Sequence, residues 1–247
     1  MKYSEVGAPD FSKYPERVLQ FGEGNFLRAF VDWMIDTINE NGRYRGSVVI
    51  CQPIPKGLSD VMNEQHGRYH VVMRGIENGE PVQRVRLVTS VSRCINPYEN
   101  YQAFIDVARS ADLQVVVSNT TEAGIRYDPS AHIGDGIPSS FPAKVTLLLY
   151  ERYEAFSGDM DKGLLFLPVE LIDDNGAELK RIVLRHAGEW NLGDDFIRWI
   201  NEANEFTSTL VDRIVTGYPK DDIEYFDELL GCHDPLVDTC ELFNLWV

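Results

Sequence analysis

The stretch RVLQFGEGNFLRAF at residues 17–30 constrains the fold more than any other part of the chain. An apolar run precedes two glycines one residue apart, and a second, mostly apolar run follows them. This is the order of a β-strand, a tight turn and an α-helix. Gly22 allows a sharp turn, and Gly24 lets the backbone come close to a phosphate. We therefore expect the N–H groups of residues 24–27 to point at an anion, aided by the helix dipole.

The turn departs from the G-x-G-x-x-G pattern, because Leu27 occupies the position of the third glycine. That glycine permits close packing of helix on strand, so Leu27 changes the packing without removing a hydrogen-bond donor. Arg28, one turn into the predicted helix, can add positive charge to the phosphate site. A tight turn without a ligand is the alternative interpretation. The candidate cofactor-binding residues of this segment are Gly22, Gly24, Asn25, Phe26 and Arg28.

Strand and helix patterns alternate along the rest of the chain, which indicates parallel strands joined by helices. Asn78-Gly79 lies between two strand-like segments and predicts a β-hairpin within residues 69–88. The predicted fold class is therefore α/β, with a Rossmann-like, doubly wound, mostly parallel sheet and an inserted β-hairpin. The other predicted strands cover 18–21, 47–53, 113–119 and 163–171, and the predicted later helices cover 97–110, 142–156, 177–187 and 194–204.

The length of 247 residues is enough for one large domain or two small ones, and the composition is that of an ordinary globular protein. Together with the glycine turn, the strand and helix pattern leads us to expect one dinucleotide-binding domain over residues 1–247. There are 23 Lys plus Arg and 39 Asp plus Glu, so the formal net charge is 23 − 39 = −16. Such a chain should repel nucleic acid and anionic membranes over most of its surface. We see no signal peptide and no apolar run near the ~20 residues that a membrane span needs.

The four cysteines form no C-x-x-C pair, which favours reduced thiols and a cytoplasmic location. The segment Cys232-His233-Asp234 has no partners at zinc-ligand spacing, so we expect no metal site.

Polar residues after the predicted parallel strands are further candidates, because ligands bind at the carboxyl ends of such strands. Gln52 ends the second strand, where an acid binds the adenosine ribose in many NAD proteins, and Lys56 lies nearby. The choice between NAD and NADP stays open from these residues. The loop residues Thr120, Thr121 and Glu122 could contact the cofactor, or could form a helix N-cap with an acid in its first turn.

The glycine turn closely resembles that of the mannitol dehydrogenase family, the polyol-specific long-chain dehydrogenases. The family pattern G-x-G-x-F-x-R-A is matched by Gly22, Gly24, Phe26, Arg28 and Ala29. Three further segments resemble the family in its order, and the resemblance runs from about residue 15 to the last residue. These segments are SNTTEAGI at 118–125, FPAKVTLLLYERY at 141–153 and TLVDRIV at 209–215.

The resemblance implies NAD-linked interconversion of a keto-sugar acid and its sugar acid without zinc, in a Rossmann-type domain followed by a helical domain. In the family that second domain supplies a base from a K-x-x-x-x-N-x-x-H helix. None of the seven lysines here has Asn five residues on, so we expect the catalytic group in a C-terminal domain that this chain does not include. Asn175 matches one Asn of the family's substrate loop, although Glu170-Leu171 stands where Asp-Asn is common.

Asp212 and Arg213 are adjacent on an apolar stretch, where a structural ion pair is one interpretation. The resemblance moves Asp212 toward a substrate contact.

A methyltransferase also begins with a strand, a glycine turn and a helix, but it favours an acid where Gln20 stands. A mannitol- or fructuronate-type polyol dehydrogenase remains an alternative, and so does a non-catalytic nicotinamide-nucleotide-binding module.

Overall fold

The computed structural model describes residues 9–120 and 124–247. Its centre is a six-stranded sheet in the order β5-β2-β1-β6-β7-β8, and every neighbouring pair is parallel. The chain builds outward from β1 to one edge and then returns to build outward to the other, so the strand order reverses between β1 and β6. The strands are β1 (Glu16–Phe21), β2 (Ser47–Cys51), β5 (Val91–Ile95), β6 (Val115–Ser118), β7 (Leu165–Pro168) and β8 (Glu205–Phe206).

Helices connect these strands and cover the sheet. The helical segment after β1 runs from Asn25 to Glu40, as α1 (Asn25–Leu27), a π-helical turn (Arg28–Asp32) and α2 (Trp33–Glu40). The sequence predicted a helix after the glycine turn, but not the π turn. The other α-helices are α3 (Ser59–Glu64), α4 (Tyr101–Ala108), α5 (Phe141–Ala155), α6 (Asn175–Glu189), α7 (Asp194–Ala203) and α8 (Ile223–Leu230).

Each face of the parallel sheet has its own apolar core, because successive strand side chains point to opposite faces. On β2, Val49 and Cys51 pack with α4, α5, α6 and α7 on one face. Val48 and Ile50 pack on the opposite face with residues of the 25–40 segment and of β3 (Tyr69–Glu77). Both faces are thus covered, as the prediction of a doubly wound α/β fold requires.

The predicted hairpin is present, and it forms half of a second sheet. Asn78 and Gly79 both have positive φ, which suits the tight turn between β3 and β4 (Glu80–Val88). β3 also pairs in parallel with β11, and β11 pairs antiparallel with β10, so the sheet order is β10-β11-β3-β4. The sequence prediction of an insertion alone was incomplete, since residues from near the end of the chain complete this sheet. The strands not yet defined are β9 (Val211–Asp212), β10 (Val215–Gly217), β11 (Asp238–Glu241) and β12 (Leu245–Trp246), with β9 and β12 paired antiparallel.

Buried charge lies between the 25–40 segment and the second sheet. The Arg28 guanidinium is 3.7 Å from an Asp238 carboxylate oxygen, and both side chains are almost fully buried. Asp32 accepts a hydrogen bond from the Tyr69 hydroxyl at 2.8 Å. Burial raises the pKa of both Asp32 and Asp238 to about 7, although the Arg28 charge opposes this. Two buried carboxyl groups therefore share one nearby guanidinium.

Asp32→Asn is expected to reduce the loss of stability that accompanies a rise in pH. Burial raises the pKa of Asp32 from 3.8 to about 7, so between these values the folded chain holds a proton that the unfolded chain has lost. The contribution of Asp32 to stability therefore falls as pH rises through this range, and asparagine has no such titration. Melting temperatures from about pH 5 to about pH 8 should shift in favour of the variant as pH rises. A constant difference from the wild type would contradict the assignment.

Candidate functional site

The carboxyl ends of four parallel strands align at one edge of the sheet. Phe21 of β1 is in register with Cys51 of β2 and with Ser118 of β6, and Ser118 is in register with Pro168 of β7. The loops that follow these strands therefore meet at the point where the strand order reverses. Ligands of doubly wound sheets bind at this position, so the predicted ligand contacts are expected to lie here.

The glycine turn lies directly above the end of β1. Gly22 has φ +119°, and a Cβ there would be 3.3 Å from the Asn119 carbonyl oxygen, so the backbone and its neighbour both favour glycine. Gly24 differs, because its φ of −67° is ordinary, it is exposed, and a Cβ there would meet no atom within 4 Å. Gly24 is the N-cap of the 25–40 segment, whose first-turn N–H groups have no acceptor within the helix. The turn thus presents main-chain donors beside open space.

Asn25 and Phe26 complete this turn in different ways. Asn25 is exposed, and its side-chain oxygen accepts a hydrogen bond from Arg28 Nη2 at 2.6 Å. Phe26 is half-buried and stacks on Phe30 with ring centroids 5.0 Å apart. Asn25 is therefore accessible to a ligand, whereas Phe26 anchors the first helical turn in the core.

Arg28, predicted to add charge to the phosphate site, has its side chain in the protein interior. Its side chain is 2% exposed. Nε donates to the Glu23 carbonyl at 3.1 Å, and Nη1 donates to the Leu236 carbonyl at 2.5 Å. With Asn25 and Asp238 also bound, the guanidinium holds the turn against the second sheet.

Gln52, predicted as a cofactor contact, has a structural role at the end of β2, and its contact with the ribose stays a prediction. Nε2 donates to the Ile54 carbonyl at 2.9 Å, and Oε1 accepts from the Ser59 N–H at 3.1 Å. Both ends of the buried amide therefore fix the loop between β2 and α3. Sequence reasoning missed Glu23, whose carboxylate reaches this same loop and accepts from the Leu58 N–H at 3.4 Å. Its position between two glycines was the available signal.

Thr120 lies at the edge of the site and is bound to Glu170. The Glu170 carboxylate accepts from the Thr120 N–H at 3.0 Å, from the Thr120 hydroxyl at 2.9 Å and from the Ser118 hydroxyl at 3.1 Å. Glu170 therefore joins the end of β6 to the segment after β7. The other predicted contacts in this loop, Thr121 and Glu122, lie outside the described residues.

Asn175, predicted to contact substrate, is fully buried, and its hydrogen bonds are made to main-chain groups. Nδ2 donates to the carbonyls of Pro168, Glu170 and Thr209, and Oδ1 accepts from the N–H groups of Gly176 and Thr209 at 2.8 and 3.0 Å. These bonds use both donors and both lone pairs of the amide. Asn175 therefore holds three segments together, and its contact with substrate stays a prediction.

Asp212 is the last residue of β9, and Arg213 follows it directly, yet the two side chains differ in exposure. Asp212 is exposed, whereas Arg213 is 5% exposed and donates to the carbonyls of Ala29 and Glu241. Its guanidinium also lies over the Trp33 ring, 4.6 Å from the centroid. The structural ion pair considered for Asp212 and Arg213 does not form, and Asp212 is available to a ligand.

A cleft of about 250 Å³ lies beside the strand ends, and sequence reasoning missed its lysine. Lys144 of α5 lines it together with Phe21 and Pro53. Its Nζ donates to the Ser139 carbonyl at 2.7 Å, and burial lowers the pKa of the amine to about 8. A larger cleft of about 580 Å³ lies against the second sheet, away from the parallel strand ends, so we place the candidate site at the smaller one.

Among residues 9–120 and 124–247, no group of three or more His, Cys, Asp or Glu side chains is arranged to hold a metal ion. The four cysteines, all within those ranges, form no disulfide. In the same part of the chain, no helix has both the length and the apolar character of a membrane span.

Comparison with known proteins agrees with this geometry. The chain is 48% identical over 237 residues to altronate oxidoreductases of Escherichia coli O6:K15:H31 and of Shigella flexneri. The match covers 96% of this chain and 49% of each relative, so the chain spans about half the length of these proteins.

Solved structures share the fold at low sequence identity. Mannitol 2-dehydrogenase of Pseudomonas fluorescens, solved as a ternary complex with NAD and D-mannitol, superposes with a TM-score of 0.81 at 19% identity. A D-sorbitol dehydrogenase in substrate-free form gives 0.79 at 18% identity. Each comparison covers 100% of this chain and 54% of the other.

The profile of the family described as "Mannitol dehydrogenase Rossmann domain" matches residues 16–247. The match begins at β1 and includes the glycine turn, both sheets and all eight α-helices defined above. The predicted family resemblance is therefore confirmed, and the chain belongs to the mannitol dehydrogenase family.

Proposed function

We propose that this chain binds NAD at the glycine turn and forms the cofactor-binding half of an oxidoreductase that interconverts tagaturonate and altronate. The proposal of NAD binding rests on one observation at Gly24. This residue leaves open space beside the N–H groups that begin the 25–40 segment. This space lies at the reversal of strand order, where a pyrophosphate has access to main-chain donors and to the positive end of a helix.

The residues present fit a dinucleotide. The backbone of Gly22 and Gly24 and the exposed Asn25 are the proposed pyrophosphate contacts. Thr121 and Glu122 remain proposed cofactor contacts, and Thr120 contributes through the loop that Glu170 holds. When bound, the cofactor would accept a hydride in its oxidised form and donate one in its reduced form. The chain's own part is to fix the cofactor against the strand ends and to limit the access of water.

The substrate assignment is supported by relatives named as altronate oxidoreductases at 48% identity. Glu23 in FGEGNF and the SNTTEAG loop also resemble the tagaturonate reductase, or altronate oxidoreductase, branch. The mannitol and fructuronate branches more often have histidine at the position of Leu27. We propose Asp212 as a substrate contact, because its side chain is exposed on β9.

A C-terminal helical domain is the proposed partner of this chain and the source of the catalytic lysine. Relatives twice as long are consistent with such a domain. Its docking face is proposed to include the exposed apolar residues around β9 and β12, since an exposed apolar patch commonly marks an interaction surface. They are Leu210, Ile214, Phe243, Leu245 and Val247. We also propose a cytoplasmic location, which unbridged cysteines favour.

A non-catalytic nucleotide-binding module is the second candidate, favoured by one observation. The buried lysine near the strand ends, Lys144, donates to a main-chain carbonyl and lacks the K-x-x-x-x-N-x-x-H context of the family base. Cofactor binding without turnover in the longer protein would support this candidate.

Gly24→Val is expected to abolish NADH binding while the domain stays folded. The backbone conformation of Gly24 is one that valine adopts, and a Cβ would meet no protein atom within 4 Å. The side chain would instead fill the space proposed for the pyrophosphate. Calorimetric titration with NADH should show binding to the wild type only, and circular dichroism should show the same fold for both. Unchanged affinity in the folded variant would refute the phosphate site.

Residues 1–247 alone are expected to bind NAD without reducing tagaturonate, whereas a chain extended through the helical domain reduces it. General acid–base help contributes roughly 10²–10⁴-fold, and substrate positioning contributes up to about 7–11 kcal/mol. Loss of both should leave no measurable turnover. The assay follows NADH absorbance with tagaturonate for the two chains side by side. Robust turnover by the short chain would place the catalytic group within it, with Glu122 the first residue to replace.

A further inference from the structure

Glu23 reaches from the glycine turn to the loop that follows β2. The residue is 8% exposed, and its Oε1 accepts from the Leu58 N–H. A Cβ on Gly57 would collide with both the Glu23 carboxylate and the Gln52 amide, so these three groups are closely packed. The sequence neighbours Gly22 and Gly24 thus bring an acid to the end of the second strand.

The Glu23 carboxylate lies where dinucleotide-binding domains commonly have an acid. In many dinucleotide-binding domains an Asp or Glu at the end of the second strand binds the 2′-hydroxyl of the adenosine ribose. Gln52 stands at that strand end here, and both ends of its amide bind the loop to α3. The carboxylate that reaches this place comes instead from the preceding turn.

One Glu23 oxygen lacks a hydrogen-bond donor. Oε2 is buried and has no partner among the described residues. A buried acceptor without a donor is unfavourable, and most such atoms in proteins are bonded or bind a ligand or water. A ribose hydroxyl is a donor of the required kind, and Glu23 belongs to the same turn as Gly24, where a Cβ would meet no atom within 4 Å.

We propose that Glu23 binds the adenosine ribose 2′-hydroxyl and, by its negative charge, disfavours a 2′-phosphate, so that the domain selects NAD over NADP. This inference rests on the proposed function, because it assigns a specificity residue within the same cofactor site. A 2′-phosphate would meet a carboxylate in a region of low solvent access, where like charges repel strongly.

The test compares Glu23→Gln with the wild type by calorimetric titration at about pH 8, because burial raises the pKa of the Glu23 carboxyl and the ionised form is required. The probes are NADH, NADPH and NADH lacking the adenosine 2′-hydroxyl. Glu64→Gln is the matched control, because it removes the same charge from an exposed position at the end of α3. Glutamine keeps the shape of Glu23, and melting temperatures confirm that each variant is folded.

In the wild type, NADH should bind more tightly than NADPH and more tightly than the 2′-deoxy probe. In Glu23→Gln both preferences should fall by about tenfold or more, the range for a hydrogen bond to a charged group. The Glu64→Gln control should keep both preferences. If Glu23→Gln also keeps them while the wild type binds NADH, Glu23 does not read the ribose and this inference alone fails. If the folded wild type does not bind NADH, the proposed function itself fails.

Discussion

The geometry of the glycine turn depends on the contacts of the buried Arg28 guanidinium. It binds the Glu23 carbonyl and the Asn25 side chain within the turn, and the Leu236 carbonyl and Asp238 beyond it. A buried charge is tolerated only when it is well paired, so these acceptors fix the turn and the second sheet in one arrangement. The turn is thereby held in place before any ligand arrives.

The same principle extends around the strand ends. Glu170 joins β6 to the segment after β7, and Asn175 joins β7, the start of α6 and the segment before β9. Gln52 fixes the loop after β2. Polar side chains that a sequence motif presents as ligand contacts are thus used to shape the loops. Gly24 and Asn25 are the exposed residues of the turn, whereas the Glu23 carboxylate is packed against the loop after β2.

Local patterns predicted four of the six parallel strands, most of the helices and the hairpin turn at Asn78-Gly79, because each depends on residues close in sequence. They missed β5, β8, α3 and α8, which are short. The partners of the hairpin could not be predicted in this way. β11 pairs with β3 from more than 160 positions away, and no periodicity in either segment identifies the other. The roles of Arg28 and Asn175 were missed for a related reason. Their acceptors are largely main-chain carbonyls of distant segments, which have no signature in the sequence.

The net charge of the chain bears on how the proposed site can hold an anion. The chain carries a formal charge of −16, and a dinucleotide is itself an anion, so long-range electrostatics oppose their association. Arg28 is committed to the protein interior and does not offset this repulsion at the phosphate. The N–H groups at a helix start act only at short range, and they can bind a phosphate without a further buried cationic side chain. An added 2′-phosphate would increase the repulsion without gaining such donors, and it would do so beside Glu23. The acidic composition and the position of Glu23 therefore both favour the cofactor of lower charge.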